Sequence, residues 1–250
     1  MSLSKNKIKY IQSLKSKKSR SEHQVFVAEG HKTVSELLEV FRCRLLVATS
    51  DFLQTANTQH VEEVIEVTPE ELSRVSFVQT PQQVLGVFYQ SQETPPIDLA
   101  EELVIALDGI QDPGNMGTIM RLADWYGIRH IVCSTDTVDI YNPKTVQATM
   151  GAIARVYVQY TDLQSFLQEN SAYPIYGTLL DGKDMYGEEL TPNGIIVMGN
   201  EGNGIRPEIE KLIRQKLFIP NYPKDSHTSE SLNVAIATAI VCAEFRRRLL

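Results

Sequence analysis

One stretch of the chain joins an apolar strand to a helix through a turn rich in Asp, Gly and Pro: Leu107-Asp-Gly-Ile-Gln-Asp-Pro-Gly-Asn-Met-Gly-Thr-Ile-Met-Arg-Leu-Ala-Asp124. The apolar residues just before it predict a buried strand, and the turn predicts a helix that begins near Asn115. The residues that would face the core recur at helical spacing, and they are Ile119, Leu122, Ala123 and Tyr126. The stretch therefore indicates the strand–turn–helix unit of an α/β protein.

Arg121 lies on the opposite face of that predicted helix. It follows Gly117 by one turn, and helical side chains lean towards the N-terminus, so its guanidinium would extend over a residue without a side chain. Asp124, three residues later, is the expected partner of this guanidinium. An isolated exposed arginine is usually only solvated. Here, however, the glycine-rich turn follows the carboxyl end of a strand, which is where open α/β sheets bind ligands.

From Leu103 onwards, short apolar runs alternate with helical patterns. The runs predict strands at Leu103–Leu107, His130–Cys133, Arg155–Gln159, Ile175–Leu179, Ile195–Met198 and Lys216–Ile219. Continuous apolar strands are typical of sheets that helices cover on both faces, so we expect a parallel, doubly wound sheet.

A smaller mixed α/β unit precedes this sheet. It is predicted to begin with a helix over residues 4–18 whose Ile8, Ile11 and Leu14 share one face. The stretch Ser91–Asp98 contains two adjacent prolines and indicates an extended linker. The sequence thus predicts three segments: a small α/β domain over residues 1–92, a linker over 93–102, and a domain carrying the chemistry over 103–250.

A second glycine-rich turn follows the predicted strand Ile195–Met198. Gly199, Gly202 and Gly204 fall within six residues, which lets a ligand approach the backbone closely or lets φ be positive. Pro207 then suits the first position of a helix. The spacing differs from Gly-x-Gly-x-x-Gly and no phosphate-loop lysine follows, so the turn does not favour a nucleoside triphosphate.

The last helix is predicted from Ser231 to about Arg248 and is apolar on nearly all sides. Such a helix is either buried or packed in a subunit interface. Ser229 or Ser231 is the expected N-cap. Asn233 is expected to be buried, with partners for its amide.

Composition limits the class of protein. With 42% hydrophobic residues the chain can bury a core. It has no apolar run of about eighteen residues, so we expect no membrane contact and a cytoplasmic location. Three widely spaced cysteines predict reduced thiols, and five histidines without ligand spacing predict that no metal is bound.

Charge is distributed unevenly along the chain. The net charge is −7, yet the residues before Glu22 include seven basic and no acidic ones, which are Lys5, Lys7, Lys9, Lys15, Lys17, Lys18 and Arg20. The rest of the chain has 17 basic and 31 acidic residues. A basic arm on an acidic body predicts phosphate contacts, and a solvated lysine-rich helix explains the pattern equally well.

Three motifs together resemble the signatures of the SpoU (TrmH-like) branch of the knotted SPOUT methyltransferases. They are Asn115-Met-Gly-Thr-Ile-Met-Arg121, Met198-Gly-Asn-Glu-Gly202 and Ser231-Leu-Asn-Val-Ala235. The resemblance covers residues from about 103 to 248. It implies a domain with a deep trefoil knot, S-adenosylmethionine as cofactor, and a homodimer built on the knotted helix. Phe26–Leu37 and Thr80–Phe88 are similar to the family's ribosomal-protein-like RNA-binding domain.

Carried over to this sequence, the resemblance implies two sets of site residues. The catalytic set is Asn115, Arg121, Glu201, Ser231 and Asn233, with Arg121 the leading candidate. The cofactor-binding set is Leu179, Gly199, Ile219 and Leu232. One departure follows Ile219, where the chain reads Ile-Pro-Asn-Tyr-Pro and the family often reads Ile-Pro-Met with a shorter loop. A longer loop would change a wall of the cofactor pocket or the access of RNA.

The activity implied by the resemblance is transfer of a methyl group from S-adenosylmethionine to a ribose 2′-hydroxyl of structured RNA, with ribosomal RNA favoured over transfer RNA. Such a weak nucleophile needs a base or an electrostatic partner, and in-line placement. Two alternatives stay open: a transfer RNA methyltransferase, and a non-catalytic RNA-binding or ribosome-assembly factor that retains the fold. The missing phosphate fingerprints disfavour an α/β enzyme that uses another nucleotide.

Overall fold

The computed structural model describes residues 3–91, 94–200, 202–223 and 231–249. Internal contacts divide the chain into two units, one of Met1–Glu93 with Asp139–Ala154 and one of Thr94–Val138 with Arg155–Leu250. This division assigns the segment 139–154 to the first unit. The domain limits at residues 92 and 103 stay a prediction.

Strands and helices alternate along most of the chain. The strands are β1 (Val25–Glu29), β2 (Cys43–Ala48), β3 (Val64–Glu66), β4 (Val84–Tyr89), β5 (Leu103–Asp108), β6 (His130–Ser134), β7 (Tyr157–Thr161), β8 (Ile175–Asp184), β9 (Gly194–Gly199) and β10 (Gln215–Phe218). The helices are α1 (Lys5–Ser13), α2 (Lys17–His23), α3 (His31–Leu38), α4 (Ser50–Leu53), α5 (Pro69–Ser73), α6 (Pro113–Trp125), α7 (Pro143–Thr149), α8 (Leu163–Glu169), α9 (Pro207–Glu210) and α10 (Val234–Arg247). A short 3-10 helix spans Ala152–Ala154.

The first unit contains a four-stranded mixed sheet in the order β1-β4-β2-β3. Strand β4 is antiparallel to β1 and β2, whereas β3 is parallel to β2. Apolar side chains of the sheet pack against Ile11 and Leu14 of the N-terminal segment. The mixed α/β unit that the sequence predicts is therefore present.

The predicted single helix over residues 4–18 is wrong, because the segment forms two helices. Helix α1 ends at Ser13, and the side chain of Ser16 accepts a hydrogen bond from Ser19 N and so begins α2. Arg20 on α2 is only 2% exposed. Its guanidinium donates to the Leu14 carbonyl at 2.9 Å and pairs with Asp139 at 2.7 Å. Arg20 is thus a structural residue of the first unit and is not available as a phosphate contact.

The second unit contains a six-stranded sheet in the order β10-β8-β9-β5-β6-β7. All five strand pairs are parallel, which confirms the predicted parallel sheet. Strands β5 and β6 are buried along their whole length, as expected of central strands. The carboxyl ends of β9, β5 and β6 therefore lie side by side at one edge of the sheet.

Helix α10 packs against α6 in the second unit. The guanidinium of Arg246 on α10 donates from Nε to the Tyr126 carbonyl at 2.8 Å, which satisfies a backbone acceptor at the end of α6. The helices that carry the first and third motifs are thereby fixed to each other. None of the described helices has both the length and the apolar composition needed to cross a bilayer.

Candidate active site

The first motif begins at the carboxyl end of β5, where a short turn leads into α6. The side chain of Asp112 accepts a hydrogen bond from Asn115 N at 2.7 Å, and Pro113 occupies the first helical turn. The helix therefore begins two residues before the predicted start. Ile119 and Ala123 are fully buried, in agreement with the predicted apolar stripe.

The third motif meets the first through a direct side-chain contact. Asn233 caps α10, because its Oδ1 accepts hydrogen bonds from Ala235 N at 3.0 Å and Ile236 N at 3.2 Å. Its Nδ2 donates to Asn115 Oδ1 at 3.0 Å. Two catalytic candidates that are 118 residues apart in sequence are thus brought together.

Two expectations about the start of α10 are wrong. The N-cap is Asn233, whereas Ser231 is exposed upstream of the helix and Ser229 lies outside the described residues. Asn233 is exposed and not buried. Both ends of its amide nevertheless have partners, because the oxygen accepts from two backbone donors of the first turn and the nitrogen donates to the Asn115 side-chain oxygen.

Arg121 is exposed on α6. No hydrogen bond or ion pair joins its guanidinium to the residues that the structure describes. The expected partner, Asp124, instead accepts two hydrogen bonds from Arg155 Nε, both at 3.0 Å, and one from Arg155 Nη2 at 2.9 Å. The prediction that Asp124 orients Arg121 is therefore wrong. Within the described part of the chain, the Arg121 donors are available to a ligand.

The second motif forms a tight loop after β9, and its described residues, 199–200 and 202–205, are called the glycine loop. Asn200 and Gly204 exchange two backbone hydrogen bonds of 2.9 Å, so the loop closes on itself. A Cβ on Gly199 would lie 2.4 Å from the Gly204 carbonyl carbon, and Gly204 has a φ of +67°. Glycine is therefore required at position 199 and favoured at position 204. Glu201, the catalytic candidate of this motif, lies outside the described residues.

Polar side chains tie the glycine loop to the turn after β5. Asn200 Nδ2 donates to the Gly109 carbonyl at 2.7 Å, while its Oδ1 accepts from Gly202 N at 2.8 Å and Asn203 N at 3.0 Å. Gly109 N in turn donates to Ser134 Oγ at the end of β6, at 2.9 Å. The three neighbouring strand ends are therefore linked by one hydrogen-bond network.

An ion pair completes this network. Arg206 donates from its backbone N to Asp108 Oδ2 at 2.8 Å and from Nε to Oδ1 at 2.7 Å. The hydrogen bond to Asp108 raises the pKa of the Arg206 guanidinium above its ordinary value. Asp136 lies 3.6 Å from Arg206 Nη2, and a hydrogen bond from Ser134 lowers the pKa of this carboxyl group.

The sequence patterns single out neither Asp108 nor Arg206 as a site residue. The sequence does contain one indication that Asp108 has a partner. The residue directly follows five apolar strand residues, and a carboxylate that is buried with such a strand needs a compensating partner. No comparable signal marks Arg206. Its partner is 98 residues away in sequence and becomes apparent only in the folded chain.

The four predicted cofactor residues belong to the same unit. Gly199 ends β9, Leu179 lies in the neighbouring strand β8, and Ile219 follows β10 on the other side of β8. Leu179 and Ile219 are half-buried, and Leu232 is 46% exposed. Such incompletely buried apolar side chains can pack against a flat ligand such as an adenosine.

No group of three or more His, Cys, Asp or Glu side chains is placed to hold a metal ion within the described ranges. The residues at the carboxyl edge are instead amides, glycines and arginine–carboxylate pairs. Arginine and amide groups bind phosphates and hydroxyls. The arrangement suits the binding of an organic ligand and a polyanion.

Models of two protein families match the chain. The model described as the SpoU rRNA Methylase family matches residues 102–243. The model described as the MRM3-like substrate binding domain matches residues 5–86. The first match alone spans more than half of the chain and includes all three motifs.

Three known proteins are similar over nearly the full length. The 23S rRNA (guanosine(2553)-2'-O)-methyltransferase RlmP of Bacillus subtilis is 30% identical over 246 residues, which is 96% of each chain. The structure of a TrmH-family protein from Porphyromonas gingivalis matches with a TM-score of 0.90 and 43% identity, covering 99% of this chain and 100% of that one. The structure of an AdoMet-bound rRNA methyltransferase from Sinorhizobium meliloti matches with a TM-score of 0.85 and 32% identity, covering 100% of this chain and 97% of that one.

Proposed function

Because the chain belongs to the SpoU rRNA methylase family, we propose that it transfers a methyl group from S-adenosylmethionine to a ribose 2′-hydroxyl of ribosomal RNA. The observation that carries this proposal is the hydrogen bond between Asn115 and Asn233. It joins the first and third motifs next to the turn that also holds the glycine loop. The activity named for the similar B. subtilis protein supports ribosomal RNA as the substrate.

The cofactor site is assigned to the carboxyl end of β9, the middle of β8 and the residue that follows β10. S-adenosylmethionine supplies an electrophilic methyl group on a sulfonium sulfur. Gly199 lets the glycine loop fold closely on Gly204, and the apolar side chains that would flank the adenosine are those of Leu179, Ile219 and Leu232. The AdoMet-bound relative from S. meliloti supports this choice of cofactor.

Arg121 is assigned to the RNA. When bound, S-adenosylmethionine would supply the methyl group to the 2′-oxygen, its sulfur would keep the electron pair of the broken bond as a neutral thioether, and the hydroxyl would release its proton to solvent. A guanidinium stays charged at neutral pH, so Arg121 is better suited to hold a phosphate and orient the hydroxyl than to accept that proton. The amides of Asn115 and Asn233, with the hydroxyl of Ser231, supply further hydrogen bonds near the ribose.

A homodimer is the assembly we propose, with α10 at the interface. At the start of this helix Leu232 is 46% exposed and Ile236 is 53% exposed. A second copy of the chain would remove these side chains from water. The Ile236→Glu variant is expected to shift the protein to monomer in sedimentation experiments. A dimer that withstands this substitution would place the interface elsewhere.

The cytoplasm is the compartment we propose. Cys43, Cys133 and Cys242 are all free and buried. Burial raises the pKa of the Cys43 thiol to about 12, so this thiol stays protonated and unreactive. Unpaired structural cysteines suit a reducing environment.

Transfer of a labelled methyl group to defined RNA pools tests the proposal. The full chain is incubated with methyl-labelled S-adenosylmethionine and with ribosomal RNA, transfer RNA or both. We expect label in ribosomal RNA and background levels in transfer RNA. Label in transfer RNA would support the first alternative. Binding of ribosomal RNA without any transfer, in the presence of bound cofactor, would support a non-catalytic RNA-binding factor.

A further inference from the structure

The carboxylate of Asp108 is enclosed at the end of a central strand. The residue is 1% exposed and is the last of β5. A buried carboxylate is costly unless ionised partners and hydrogen bonds compensate for the loss of water. Both oxygens are satisfied by Arg206, whose backbone N donates to one and whose Nε donates to the other. Arg206 Nη2 also pairs with Asp108 Oδ1.

Arg206 stands at the far end of the glycine loop, directly before α9. At the near end, Asn200 donates to the Gly109 carbonyl. Both ends of the loop are therefore attached to adjacent residues, Asp108 at the end of β5 and Gly109 directly after it. This double attachment is independent of the hydrogen bonds that close the loop on itself.

We propose that the Asp108–Arg206 ion pair holds the glycine loop in the conformation that binds S-adenosylmethionine, so that Arg206 is a positioning residue for the cofactor. The inference rests on the proposed function. When only a fraction of the molecules has the binding-competent loop, the apparent Kd rises by the inverse of that fraction. Loss of the guanidinium contacts leaves only the backbone N–H bond from residue 206 to Asp108, which weakens one of the two attachments and lowers that fraction.

A graded series of variants tests this role, with calorimetric titration of S-adenosylmethionine and of its demethylated product into the full chain. Arg206→Gln is expected to weaken binding of both ligands about tenfold or more. Arg206→Lys keeps the charge without the forked geometry and is expected to fall between the wild type and Arg206→Gln. Asp136→Asn removes an exposed neighbour 3.6 Å away and is expected to change affinity less than about twofold.

The matched control is Arg155→Gln. This substitution also removes a forked arginine–carboxylate pair from the second unit, since Arg155 binds Asp124 of α6. It does not alter any contact of the glycine loop. Its cofactor affinity is expected to equal that of the wild type. In turnover assays, Arg206→Gln is expected to raise KM for S-adenosylmethionine while kcat at saturation changes less, which a general loss of stability would not produce.

Two results would overturn the inference. One is wild-type affinity in Arg206→Gln, and the other is an equal loss of affinity in Arg155→Gln. Failure of the unsubstituted protein to bind either ligand would overturn the proposed function, and the inference with it. Arg206→Gln leaves the buried Asp108 carboxylate without its ionised partner, so the thermal unfolding of this variant is measured first. If it does not fold, Arg206→Lys, which keeps the charge, decides the test.

Discussion

Asn233 performs two structural tasks with a single amide. Its oxygen caps α10, and its nitrogen holds Asn115 at the start of α6. The residue therefore sets both the direction of the last helix and the spacing of two catalytic candidates. At the scale of single residues, the Asn233–Asn115 hydrogen bond is the observation that places two catalytic candidates in direct contact.

Substitutions of Asn233 separate these two tasks. Asn233→Ser keeps an N-cap oxygen but is too short to reach Asn115, so we expect little change in the melting temperature and at least about a tenfold loss of methyl transfer, which corresponds to ~1.4 kcal/mol. Asn233→Ala also removes the cap and is expected to lower the free energy of unfolding by about 1 kcal/mol. Equal transfer rates in Asn233→Ser and the wild type would show that the contact has no part in the reaction.

Substitution of Arg121 tests whether this side chain binds the RNA. Arg121→Ala is expected to abolish methyl transfer while the affinity for S-adenosylmethionine stays within about twofold, because the side chain serves the RNA and not the cofactor. Arg129→Ala is the control, since this arginine lies over the Tyr157 ring at the opposite end of β6. Parallel losses of transfer and cofactor affinity in Arg121→Ala would contradict the assigned role.

Sequence patterns can predict the residues that are marked by local context. Arg121 and Asn233 stand at helix positions whose neighbours are glycine or apolar residues, and that context distinguishes both of them. The partners of these side chains could not be predicted. Arg155 pairs with Asp124, 31 residues away in sequence, and Arg206 pairs with Asp108, 98 residues away. Such pairs depend on the folded structure and not on local spacing.

The glycine loop, which follows strand β9, is held in one conformation by its own contacts. It is short, closed by its own backbone, and attached to the turn after β5 at both ends. Its conformation is incompatible with a side chain at Gly199, where a Cβ would meet backbone atoms of Gly204 and Ile205 at 2.4 and 2.5 Å. Rigidity of this kind prepares a site before the ligand arrives.

Alanine substitutions in the loop test this rigidity. Gly199→Ala is expected to weaken S-adenosylmethionine binding about tenfold or more, because the backbone of the loop must shift. Gly202→Ala is the matched control, since the nearest atom to its Cβ is Asn200 Oδ1 at an ordinary 3.6 Å. Calorimetric titration of both variants measures the difference. Equal affinities would show that the loop adapts freely.

The strands are easier to predict from this sequence than the helices. Continuous apolar runs mark the central strands, because their burial leaves no room for polar residues. The helical pattern over residues 4–18 is misleading, since the break at Ser16 depends on a single capping hydrogen bond. Helix α4, of four residues, is too short to have a periodicity of its own.

Charge acts at the scale of the whole molecule. The chain has a net charge of −7, and an RNA enzyme must offset that repulsion locally. The structure divides the basic N-terminal residues into two groups. Lys7 pairs with Glu63, Lys15 lies over the Phe77 ring, and Arg20 is buried. The remaining four are exposed, and they are Lys5, Lys9, Lys17 and Lys18.

These four lysines are the ones expected to bind phosphates, because they form no ion pair or ring contact with the described residues. Replacing all four with Gln is expected to reduce the slope of log affinity against log salt by about 0.7–0.9 for each phosphate that is no longer neutralised. A Lys7→Gln, Lys15→Gln double variant is the control and is expected to leave the slope unchanged. Deletion of residues 1–20 is unsuitable, because it removes Ile11 and Leu14 from the core. If the fourfold variant shows the same dependence of log affinity on log salt as the wild type, these lysines are only solvated and do not bind phosphates.

Two further properties of the whole molecule stay predictions. The trefoil knot and the homodimer come from the family resemblance, and neither follows from composition or periodicity. The order β10-β8-β9-β5-β6-β7 places the last strand at an edge, away from the strand that precedes it in sequence. Such a connection cannot be read from a sequence, because local patterns identify strands and not their neighbours.

The central claim is that the ribose 2′-oxygen of ribosomal RNA receives the methyl group. Digestion of RNA from the methyl-transfer reaction to nucleosides, followed by mass spectrometry, tests it most directly because the sugar and base fragments separate. We predict one labelled 2′-O-methylnucleoside that is absent from the reaction with Arg121→Ala. Label on a base, or label retained in the Arg121→Ala reaction, would contradict the account.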